Sequence, residues 1–111
     1  DYISTLEKGL NNNWVDVYPT SAKRTGGYSG VSYDTEPYIL LNYQEKYDDM
    51  STLAHEAGHS MHSYYTRISN PYQYGNYSIF VAEVASTTNE ILLAKYLLKI
   101  LFLLHNLPCW I

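Results

Sequence analysis

The 111-residue chain holds one cysteine, Cys109, so it can form no internal disulfide. Basic residues are also scarce. Seven Lys and Arg against eleven Asp and Glu give a formal charge of -4. That balance argues against nucleic acid as a partner, because a phosphate backbone demands a basic face. No repeat, linker, low-complexity stretch or run of like charge is present. The opening segment Asp1-Tyr2-Ile3-Ser4-Thr5-Leu6 lacks the apolar core of a signal peptide. With a single cysteine, the expectation is a cytoplasmic protein. Nor is there a membrane span. The apolar stretch from Ile91 to Leu104 is interrupted by Lys95 and Lys99 and falls short of the about 20 residues a spanning helix needs, so it reads as a core helix. The sequon Asn76-Tyr77-Ser78 is a chance match in such a chain.

What the sequence does contain is apolar and aromatic. Hydrophobic residues make up 46%, enough to bury a core, so a disordered segment is excluded. Thirteen tyrosines point to half-buried surfaces with a polar tip, as clefts and packing seams provide. Ile3, Leu6 and Leu10 share one helical face, predicting a helix to about Asn12, ended by Asn11-Asn12-Asn13. Trp14 to Tyr18 alternates as a short strand closed by Pro19. Lys23 to Gly30 reads as a turn or hairpin tip. Its glycines lack the spacing of a phosphate loop. Pro37 to Tyr43 is a β-prone run. A helical period starts near Lys46, with Asp48 and Asp49 suited to the helix dipole, and fades near Arg67. A tyrosine-rich loop follows, marked by Asn70-Pro71 and Gly75-Asn76, and a second long helix is predicted from Ser78 to Lys99. The expected fold is mainly α with a small β-sheet.

Chemistry concentrates in His55-Glu56-Ala57-Gly58-His59, an HExxH motif inside the first long helix. Residues four apart on a helix project from one face about 6 Å apart along the axis, so two imidazoles can meet one zinc ion. Glu56 is rotated by about 100° from His55. It flanks the metal and can act as a general base on a water there. A catalytic zinc needs a third protein ligand and an open fourth position. His62 shares the face of His55, but lies about 10.5 Å from it along the axis, too far for three imidazoles on one straight helix. Packing suits it better. An HExxHxxGxxH ligand set would need Gly at 62 and His at 65, where this chain has His62 and Tyr65. Glu83 remains. It sits in Phe80-Val81-Ala82-Glu83-Val84-Ala85-Ser86, where a buried carboxylate would be costly unless a cation compensated it. Glu90, two turns on, returns to that face, either to orient a ligand histidine or, alternatively, to face solvent or make a helix-packing hydrogen bond. His105 is a lone histidine with no motif around it.

The HExxH segment extended through Ser60-Met61-His62, together with Phe80 to Ser86, resembles the thimet oligopeptidase and oligoendopeptidase F family of zinc metallopeptidases. Asp16-Val17-Tyr18, Lys23 to Ser29, Pro37 to Tyr43 and Pro71 to Gly75 favour the oligoendopeptidase F branch. The resemblance implies that His55, His59 and Glu83 bind one Zn2+ per chain and that Glu56 is the catalytic carboxylate. It implies a gluzincin-type catalytic core in a largely helical, channelled fold, and cleavage of internal bonds in short oligopeptides by zinc-activated water. A gluzincin of another family would share the ligands but not the flanking matches. Family members are several times longer, and their assisting tyrosine and histidine lie downstream of the glutamate ligand. Residues 1–99 are therefore expected to form a partial catalytic domain, and residues 100–111 diverge from the family pattern. The alternative expectation is a truncated zinc-binding fragment without activity.

Overall fold

A computed structural model describes residues 1–105. The end of the diverging segment, including Cys109, lies outside the described residues. Helix α1 spans Tyr2–Asn11, and strand β1 follows at Val15–Asp16. Strands β2 and β3 are Tyr28–Gly30 and Tyr38–Leu40. The long helices α2, Tyr47–Ser69, and α3, Ile79–His105, flank a single 3-10 turn at Tyr72–Tyr74. The chain is thus mainly helical with a three-stranded sheet of order β1-β3-β2. None of the described helices is long and apolar enough to cross a membrane.

Local chemistry sets most boundaries. Asp1 caps α1 by accepting from the Ser4 amide at 3.1 Å. At the start of α2, the Asp49 carboxylate accepts from the Gln44 and Lys46 amides at 2.8 and 3.1 Å, satisfying donors before the first turn. The predicted strand from Trp14 to Tyr18 survives as a hydrogen-bonded run wider than β1. Ile39, Leu41 and Tyr43 amides donate to the carbonyls of Trp14, Asp16 and Val17. Lys23 holds that junction, its Nζ donating to the Asp16 and Leu41 carbonyls and pairing with the Asp16 carboxylate at 2.8 Å.

Two elements differ from expectation. The Lys23–Gly30 segment is not only a turn, because Tyr28–Gly30 pairs antiparallel with β3. A Cβ at Gly30 would meet the outer end of the exposed Tyr38 ring across the ladder, and that ring would have to turn aside. Helix α3 runs six residues past Lys99. Its apolar residues cover its whole circumference, and Ile79, Phe80, Leu92 and Leu104 are among many left exposed. A helix apolar all round is one built to be buried on several sides. Among the described residues it is covered mainly on the side facing α2, with one further contact from the Tyr2 hydroxyl to Asn89.

The core lies between sheet and α2, where Ile39, Leu41 and Ala57 pack with Leu6, Val15 and Leu53. Trp14 is buried against Gly9 of α1, a position where a side chain would collide with the indole. Small residues bring α2 and α3 together. A Cβ at Gly58 would sit 2.6 Å from the Ser86 Cα and 2.9 Å from the Ala85 carbonyl. Ser86 and Ala82 are buried in that seam. In a full-length enzyme containing this segment, Gly58→Ala should cost about 1–3 kcal/mol by overpacking. It should also push Glu83 away from the histidines. A lower denaturation midpoint together with weaker zinc binding would check this; an unchanged pair would exclude a close-contact role for Gly58.

Candidate metal centre

Helix α2 carries His55 and His59 on successive turns, their rings 4.6 Å apart between centroids and nearly perpendicular. Glu83 reaches them from α3 across the Gly58–Ser86 seam. The two Nε2 atoms are 3.0 Å apart. Glu83 Oε2 lies 3.5 Å from His55 Nε2, and Oε1 lies 3.7 Å from His59 Nε2. One ligand atom from each residue falls within 4.8 Å of the others. Ligands bonded tetrahedrally to zinc at about 2.0–2.1 Å are separated by about 3.3 Å. The nitrogen separation of 3.0 Å and the two Glu83 separations, each made by a different carboxylate oxygen, lie near that value, and imidazole nitrogens with a carboxylate suit zinc. The residues present fit the ion.

The neighbouring groups favour the same arrangement. His55 Nδ1–H donates to Glu90 Oε1, and Ser51 Oγ donates to Glu90 Oε2 at 3.2 Å. With its proton on Nδ1, His55 turns a bare Nε2 lone pair toward Glu83 and His59. This tautomer is assigned from the hydrogen-bond partner. Glu90 therefore makes both the contact with a candidate ligand histidine and a helix-packing hydrogen bond. Ser86 Oγ donates to Glu83 Oε2 at 3.2 Å and steadies that carboxylate. Glu56 is buried, and lines a cavity of about 510 Å3 with His55, His59 and Glu83.

Glu83 departs from its sequence expectation in one respect. Its side chain is 47% exposed, not buried. The apolar neighbours Phe80, Val81 and Val84 are exposed as well. Desolvation therefore does not single out Glu83 within this chain; its proximity to two imidazoles does. His62 stays outside the ligand cluster, its ring tilted 31° against Tyr77 at 4.1 Å. Burial first, and then the neighbouring His59 charge, lower its pKa. His105 bonds back within α3, its Nδ1 3.0 Å from the Leu101 carbonyl.

Several cavity residues escaped the sequence reading. Ser60, Ser63 and Arg67 lie four, seven and eleven residues after Glu56, which is the spacing of one helical stripe, and all three line its cavity. Tyr77, hydrogen-bonded to Ser63, and the β2 residues Tyr28 to Gly30 complete the wall. The stripe was present in the sequence, and extending the period of Glu56 along α2 would have found it.

Comparison with known proteins comes from both sequence and fold. Residues 1–106 match the sequence profile described as Peptidase family M3. Over 99 residues the chain is 61% identical to "Oligopeptidase PepF" of Bacillus subtilis, covering 89% of this chain and 15% of that one. It is 54% identical over 99 residues to the plasmid "Oligoendopeptidase F" of Lactococcus lactis subsp. cremoris, covering 89% of this chain and 16% of that one. The crystal structure of a candidate peptidase from Chlamydophila abortus superposes with a TM-score of 0.84 at 52% identity, covering 88% of this chain and 17% of that chain. The chain thus spans about a sixth of the length of these proteins.

Proposed function

The chain belongs to peptidase family M3, and from that membership we propose that it carries the zinc ligands and catalytic carboxylate of an endopeptidase. The enzyme would cut internal bonds of short oligopeptides in the cytoplasm. The observation that carries this reading is the convergence of His55, His59 and Glu83 from two helices. The oligoendopeptidase names of its relatives support the substrate class. The proposed partial catalytic domain is residues 1–99.

A zinc ion held there would supply acidified water and a polarised scissile carbonyl. The chain's own residues hold the ion and move the proton. His55 and His59 offer Nε2 donors, and Glu90 holds His55 in the ligating tautomer. Glu83 lowers the net charge of the site and closes its third corner. Glu56 takes the proton from the attacking water and returns it to the leaving amine, so that the amine departs neutral. Its presence in the wall of the cavity that His55, His59 and Glu83 also line supports this role. Strand β2 is an edge strand of the sheet. Its residues line the cavity, where an extended peptide could add to the edge.

The test is metal content and cleavage measured on one preparation. A full-length enzyme containing residues 1–99 should hold one zinc per chain and cut a quenched fluorescent oligopeptide, losing cleavage to a chelator and regaining it with zinc. Chelator-resistant cleavage would refute the zinc mechanism. Zinc binding without cleavage would favour the alternative of a metal-binding chain without activity.

A further inference from the structure

A hydroxyl inside a helix ordinarily bonds back to the carbonyl four residues before it. Thr52 does so with Asp48 at 2.8 Å, and Thr88 does so with Val84 at 2.6 Å. Ser51 does otherwise. Its Oγ reaches from α2 to Glu90 Oε2 on α3 at 3.2 Å, while Glu90 Oε1 accepts from His55 Nδ1. Ser51 and His55 are four residues apart and share a face of α2, so one carboxylate joins two donors fixed on the same rigid helix. Asn89 sets the register of this bridge. Its Nδ2 donates to the carbonyl of Ala54, the residue before His55, at 3.3 Å, and its Oδ1 accepts from the Tyr2 hydroxyl of α1 at 2.9 Å.

We infer that Ser51 is a positioning residue for His55, acting through Glu90. This rests on the zinc-ligand reading above and adds an outer layer to it. The Glu90 side chain is 36% exposed, and it lines a cavity of about 390 Å3 together with Ser51, His55 and Glu56. The terminal torsion of a glutamate is soft, so a carboxylate held at one oxygen can still swing. Held at both, it points one way. The imidazole bonded to it then keeps its Nε2 aimed at Glu83 and His59. Ser51 lies outside the cluster of His55, His59 and Glu83, so its effect on the metal passes through Glu90.

Zinc dissociation constants, measured by competition with a chelating dye in a full-length enzyme containing residues 1–99, test this. Ser51→Ala should raise the constant about threefold to tenfold. Ser51→Thr keeps the hydroxyl, and Ser51→Val has nearly the shape of threonine without it. The threonine variant should bind zinc like the unaltered enzyme, and the valine variant like Ser51→Ala. A role in packing alone would move both alike. Glu90→Ala should weaken binding about 10–100-fold, and adding Ser51→Ala to it should change nothing further. Equal affinity of the threonine and valine variants overturns the inference, even if Ser51→Ala does not fold. Losses that add in the double variant overturn it as well. Tight zinc binding indifferent to Ser51 leaves the ligand reading standing and removes only this outer layer. An unaltered enzyme that binds no zinc overturns both.

Discussion

Glu56→Gln, in a full-length enzyme containing residues 1–99, is expected to keep zinc and lose peptide hydrolysis. The amide nearly matches the carboxylate in shape but cannot accept a proton at neutral pH, and general acid–base catalysis contributes about 10²–10⁴-fold. Glu56 lies outside the cluster of His55, His59 and Glu83, so its replacement leaves every donor in place. His59→Ala should do the opposite. It removes one of three donors, leaving a carboxylate and one imidazole, and zinc affinity should fall together with activity. Metal analysis after dialysis and initial rates on a quenched peptide distinguish the two variants. Full activity in Glu56→Gln would sink the general-base assignment, and tight zinc binding in His59→Ala would sink its assignment as a ligand.

Legibility in the sequence followed the range of the contacts. His55, Glu56 and His59 lie within five consecutive residues of one helix, so helical geometry alone predicted that the imidazoles would meet. Glu83 is on another helix, 24 residues beyond His59. Only the family resemblance and a burial argument pointed to it, and the second does not hold for a side chain 47% exposed. The seam that delivers it depends on Gly58 meeting the Ser86 backbone. A glycine inside a helix does not announce such a partner.

Strand β2 was hidden for a related reason. Tyr28-Ser29-Gly30 is short and follows two glycines, so local propensity reads it as a turn. Its pairing with β3 is a non-local contact that propensity does not register. Arg67 was overlooked for a different reason. It marked the fading end of a helix, whereas its place on the stripe of Glu56, Ser60 and Ser63 was there to be read. The full apolar circumference of α3 was also visible, but sequence alone could not say which side α2 would cover among the described residues.

The isolated 111-residue chain is expected to bind zinc and yet turn over peptides very weakly or not at all. Metal binding needs α2 and α3 to pack, and that contact is made through Gly58, Ala82 and Ser86 within the chain. Hydrolysis needs more: donors aimed at the developing oxyanion, and walls that fix the peptide and exclude water. By the family resemblance, the assisting tyrosine and histidine belong downstream of Glu83. Each missing donor typically costs about 10²–10³ in rate. Exposure of Glu83 shows the site to be open on the α3 side in these residues. That open side is also apolar, with Ile79 78% and Phe80 75% exposed, so the chain should self-associate. Zinc stoichiometry, light scattering after size exclusion, and cleavage of a quenched oligopeptide can be measured on one sample. About one zinc per chain, oligomers and negligible cleavage are expected. Rapid, chelator-sensitive cleavage by a monomeric, homogeneous preparation would show instead that these residues already hold all the groups hydrolysis requires.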